Sequence, residues 1–317
     1  MGDLALTASD KGIYRRGRWA VAALLLCLSP GSVTSQSIAP VRPAIDANRN
    51  AAWVAFNRSP QQQLADHRRL DAALAVLKPQ RAGTVDAYVV VAALNSDPVF
   101  GREAREAGRV LSRRFDASGR TIVLAMGGEE APGSPHSLAL ALARVAELAD
   151  RREDVLVLYT TSHGSPLTGL EYRDPERGMG AIPPLRLAGM VENVPNRLLI
   201  ISACYSGIFL PALASDTSVV ISAAAADRTS FGCSPGNDWT FFGDALVNNA
   251  LRKPQPLQQA FAEARRLVSG WEAGNRLQPS NPQISVGRDV ARWLGPLERR
   301  MPKEATAPVG RSPAAGR

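Results

Sequence analysis

From Asp86 onward the chain alternates short, continuous apolar runs with longer stretches of helical spacing. AYVVVAAL (87–94), TIVLAM (121–126), DVLVLYTT (154–161), RLLIIS (197–202) and SVVISAAA (218–225) are rich in β-branched residues and show no apolar-polar alternation. A strand without a polar face is covered on both sides. Between the runs, Ser134-Pro135 opens a helix with Leu138, Leu142, Val145 and Leu148 on one face, and another follows Pro256 with Leu257, Phe261, Ala264, Leu267 and Trp271. The pattern predicts an α/β fold of three layers, a mostly parallel sheet of about six strands with helices on both faces. QISV (283–286) supplies the sixth strand, at an edge.

The chain before Asp86 reads differently. A basic segment, Lys11 to Arg18, precedes ten apolar residues, Trp19 to Leu28, and Ser29-Pro30-Gly31 breaks the run. Ten residues are too few for a helix across a bilayer, which needs roughly 20, and this order is that of a secretory signal peptide over 1–35. Periplasmic or secreted localisation is therefore expected, with no membrane attachment once the leader is removed. Residues 36–80 read as a linker and a capping helix (Leu64, Leu70, Leu74, Leu77), 81–296 as the folded domain, and 297–317, with Pro302, Pro308 and Pro313, as a disordered tail.

Composition changes this picture little. At 317 residues, 45% hydrophobic and 21% charged, the chain is ordinary globular material. The net charge of +8 falls to +6 without the leader, and no basic stripe is interleaved with aromatics, so no nucleic-acid partner is expected. No G-x-G-x-x-G or G-x-x-x-x-G-K-[ST] follows any strand, and the histidines and cysteines lie at no zinc-ligand spacing. Neither a cofactor nor a metal is called for.

In open parallel sheets, ligands sit beyond the carboxyl ends of the strands. Those ends carry Asn95-Ser96-Asp97, Gly127-Gly128-Glu129, Ser162-His163-Gly164 and Ala203-Cys204-Tyr205-Ser206-Gly207. A thiol is a nucleophile once ionised, and a helix from about Ser206 would put its positive end beside the Cys204 sulfur. His163 can take or hold the proton, and Gly164 and the Cys204 amide can offer N–H groups to an oxyanion. The only histidines, His67, His136 and His163, all precede Cys204. That order rules out a papain-like arrangement, and an α/β-hydrolase elbow needs glycine where Cys204 stands. After the leader only Cys204 and Cys233 remain, and a bridge between them is the alternative to free thiols.

YTTSHG and LIISACYSG, 41 residues apart, resemble the His-Gly and Ala-Cys-x-Ser-Gly motifs of the legumain (asparaginyl endopeptidase) family, whose layout caspases share. ISAAAADRTSFGC (221–233) and WTFFGDAL (239–246) extend the resemblance over about Asp86 to Leu251. It implies a caspase-like fold and a cysteine endopeptidase acting on peptides or proteins. Cys204 would be the nucleophile, His163 the base, Gly164 the oxyanion support and Asp244 the acidic wall of the pocket for the side chain before the scissile bond. Asp244 could instead cap the helix that follows it. Legumains carry an acid two residues before the cysteine, where this chain has Ser202, and an asparagine that orients the histidine, a place open to Asn95 or Asp97. Ser202 and Asn95 are thus the remaining candidates on the substrate side. The alternatives are an inactive binding module of the same fold and a transpeptidase using the same acyl-enzyme.

Overall fold

A computed structural model describes residues 57–315. The expected leader and most of the linker lie outside the described residues. Strands β1 (Ala87–Ala93), β2 (Thr121–Leu124), β3 (Val155–Thr161), β7 (Arg197–Ser202), β8 (Ser218–Ser222) and β9 (Gln283–Val286) form one sheet in the order β2-β1-β3-β7-β8-β9. All pairs are parallel except β8 with β9. Five strands are thus parallel, and QISV is the antiparallel edge.

The continuous apolar runs have their explanation in two cores. Val89, Val91, Val157, Tyr159, Leu198 and Ile200 face one layer, while Tyr88, Val90, Leu156, Leu158, Leu199 and Ile201 face the other. The first layer consists of α2 (Pro98–Arg114), α6 (Phe241–Gly243) with its π-helical continuation Asp244–Ala250, α7 (Leu257–Gly274) and α8 (Ala291–Arg300). The second consists of α1 (Pro60–Ala75), α3 (Pro135–Leu148), α4 (Pro184–Val191) and the single turn α5 (Leu210–Leu213). Helices on both faces bury β1, β3, β7 and β8 almost throughout, as expected, while the edge strand β9 stays partly exposed.

Three features depart from the sequence expectations. A three-stranded antiparallel sheet, β4 (Gly164–Ser165), β5 (Gly169–Asp174) and β6 (Gly178–Ile182), is inserted between β3 and α4. The helix expected after Cys204 is one 3-10 turn, Ser206–Phe209, leading into α5, so the sulfur gains little from a helix dipole. The tail is ordered: α8 runs through the expected boundary at 297, and the residues after it hydrogen-bond to the body at Arg252, Asn248, Trp239 and Asp238.

Candidate active site

The strand order reverses beside β1, with β2 on one side and β3 on the other, and the site lies at this end of the sheet. Thr161 and Ser202 are register partners in β3 and β7. His163 and Cys204 each stand two residues beyond that pair, so the parallel register puts them side by side. Gly164 is required by this closeness: a Cβ there would lie 2.2 Å from the Cys204 carbonyl oxygen. Tyr205 turns the chain away with φ +57°, and its N–H donates to Arg228 O at 2.8 Å.

Asp97, beyond β1, completes the row. Its Oδ2 is 3.2 Å from His163 Nε2. Asp97 sits at the N-cap of α2 yet makes no capping bond there, which leaves its carboxylate to the histidine. Asn95 is buried and does not touch the ring. Its Oδ1 accepts from the Asp97 N–H at 2.9 Å and sets the turn that presents Asp97. Of the two residues open to the orienting place, Asp97 is the one whose side chain meets the ring. The inserted sheet stiffens the arrangement, because Glu171 N–H donates to His163 O at 3.0 Å and Ser96 N–H to Arg173 O at 2.9 Å. Phe100 meets the imidazole edge-on, with ring centroids 5.0 Å apart.

The loop after β8 closes the other side. Ser230 N–H donates to Cys204 Sγ at 3.3 Å, and the thiol points to Ser230 O at 3.5 Å. Cys204 and Cys233 are both free, so the bridge between them is not formed. The Cys233 side chain beside the ring, with Asp97 next, favours the imidazolium against burial, and His163 is pushed up to about 9. Burial raises the Cys204 thiol above its ordinary value, and the neighbouring Cys233 adds to this against the opposing Ser230 amide. A role for Cys233 next to the histidine has no signal in the sequence beyond the resemblance of its segment.

Two expectations for the pocket are corrected. Asp244 is 1% exposed, and its carboxylate accepts from Asn248 Nδ2 at 2.7 Å, Asn249 Nδ2 at 3.1 Å and Ser312 Oγ. It is spent inside the fold, on its own helix and the tail. It does not cap that helix either, since Thr240 accepts from Gly243 N–H at the N-cap. Ser202 is also buried and faces the first core, where its hydroxyl lies 3.3 Å from Glu103 Oε1. Glu103 further accepts from Tyr159 Oη at 2.6 Å and Thr240 N–H at 2.7 Å. An acid does stand at the end of β7, but it reaches there from α2. Asp238, half-buried nearby, pairs with Arg102 at 2.9 Å.

Residues 137–291 match the model of the Peptidase C13 family. No curated protein matches the chain. The crystal structure of Caspase-1 from Spodoptera frugiperda is similar at 13% identity, over 64% of this chain and 89% of that one, with a TM-score of 0.43. The matched span takes in His163, Gly164 and Cys204, and it reaches from α3 to the start of α8. Over this span, a little under half of the 317 residues, the chain is similar to the Peptidase C13 family.

Proposed function

We propose that the protein is an exported cysteine endopeptidase in which Cys204 is the nucleophile, His163 its acid–base partner and Asp97 the residue that orients His163. The observation that carries this reading is the register of β3 and β7, which sets His163 and Cys204 side by side with Gly164 against the cysteine's carbonyl.

Transfer of the Cys204 thiol proton to His163 gives a thiolate–imidazolium pair, and the ionised sulfur attacks the carbonyl carbon of the scissile peptide. The oxyanion formed is met by the backbone N–H groups of Gly164 and Cys204. The imidazolium of His163 passes its proton to the leaving amine, the C–N bond breaks, and a thioester with the new carboxyl-side fragment remains. His163, now neutral, takes a proton from water, which attacks the thioester and releases the acid and the thiol. Asp97 holds Nε2 and so leaves Nδ1 for the sulfur and the leaving group, and its charge supports the imidazolium.

The test is a set of three variants assayed on a peptide library. Cys204→Ala and His163→Ala are each expected to lower kcat by roughly three orders of magnitude or more, with the double variant little worse than either, because the pair acts as a unit. Near wild-type turnover in Cys204→Ala would refute the assignment of the nucleophile.

A further inference from the structure

Residues 223–240 carry no helix or strand, yet this loop holds both Ser230 against the Cys204 sulfur and Cys233 beside His163. Its position therefore depends on what ties it from outside. One tie is Arg102 of α2, which donates to the Pro235 and Asn237 carbonyls and pairs with Asp238. Another comes from residues after α8. Arg311 N–H donates to Asp238 Oδ2 at 2.7 Å, and Trp239 Nε1 donates to Val309 O at 2.8 Å.

The segment that makes these bonds is itself held along its length. Thr306 N–H donates to Arg252 O at 3.2 Å, Asn248 exchanges two bonds with the Val309 backbone at 2.9 and 3.0 Å, and Ser312 Oγ donates to the buried Asp244. Gly310 has φ +78°, and a Cβ there would lie 3.0 Å from Asp238 Cβ and 3.3 Å from Trp239 Nε1. Only glycine combines that backbone with that approach. The carboxylate of Asp238 is thus shared between Arg102 on one oxygen and the segment on the other.

We infer that residues 304–312 are a positioning strap for the active-site loop, holding Asp238 and Trp239 so that Ser230 and Cys233 stay against Cys204 and His163. The inference rests on the catalytic reading above for its effect on turnover, but not for its effect on the loop. The strap touches no reacting group; it acts through the loop, and Asp244 serves it as an anchor.

Two variants test this in the otherwise intact chain, one ending after Lys303 and one carrying Gly310→Val. Amide hydrogen exchange over 228–240 is expected to quicken in both, while the β3 and β7 amides stay protected. Labelling of Cys204 by a peptidyl electrophile is expected to slow by roughly 10- to 100-fold, the scale on which small misplacements cost reactivity. A synthetic peptide of residues 304–317 should restore both readouts in the shortened chain, which loss of general stability would not allow. If the shortened chain does not fold, Gly310→Val alone decides. Unchanged exchange at 228–240 in a folded variant overturns the strap, whatever the turnover. Quickened exchange with unaltered labelling overturns its link to the site. Full turnover in Cys204→Ala instead removes the catalytic reading and leaves the exchange result standing.

Discussion

At the scale of single residues, the site is a row of three side chains on three successive strand ends, and its electrostatics follow from who faces whom. Cys233 and, after it, Asp97 favour the imidazolium of His163, so removal of Asp97 is expected to lower the histidine's pKa from about 9. A rate that needs the imidazolium for the leaving group falls as pH rises through that value. The alkaline limb of kcat/KM is therefore expected near pH 9 in the wild type and at lower pH in Asp97→Asn. An alkaline limb that stays in place in Asp97→Asn would show that the carboxylate does not act through the ring. Gly164 is the second residue-scale test. With 2.2 Å between an added Cβ and the Cys204 carbonyl oxygen, Gly164→Ala must push β4 away from the cysteine. Labelling of Cys204 is expected to be lost or slowed while the cooperative melt persists.

At the scale of elements, α2 and β7 are joined by a buried carboxylate. Glu103 is fully buried and takes hydrogen bonds from Tyr159, Ser202 and the Thr240 amide. Burial and the adjacent Glu103 push the Tyr159 hydroxyl well above its usual value, so it stays a donor. Gly243 lies directly over this carboxylate, 2.4 Å from where its Cβ would be. Glu103→Ala leaves the tyrosine hydroxyl and an amide without partners, a cost of about 3 kcal/mol. Denaturant unfolding is expected to show it as a lower midpoint with the slope unchanged, and a variant as stable as wild type would mean that the network is dispensable. This network also gives Ser202 a use other than substrate contact. The sequence pattern could locate the end of β7 but not the helix whose acid would reach it, because α2 and β7 are remote along the chain.

At the scale of the whole molecule, the large sheet and both helical layers were legible because covered parallel strands leave an unbroken apolar signature, as AYVVVAAL and RLLIIS do. His163 and Cys204 were legible because each directly follows such a run. The inserted sheet was not, since GLEYRD and GMGAI are short and half-polar, and their pairing is fixed by contact with the His163 and Asn95 loops. Nor was the docked tail, whose prolines and small polar residues read as solvent-exposed chain and whose partners, Asn248, Trp239 and Asp238, are visible only in the fold. Asp244 was misplaced for the same reason: a Gly-Asp before an apolar stretch carries no sign of which way its carboxylate turns. The molecule thus brings two free thiols to one histidine, and the account requires that only Cys204 be the nucleophile. Peptidyl electrophiles with varied side chains at the cleavage position, followed by mass spectrometry of the adduct, test that requirement most directly. A single adduct on Cys204, abolished in His163→Ala, is expected; an adduct on Cys233, or equal labelling of Cys204 with and without His163, would contradict it.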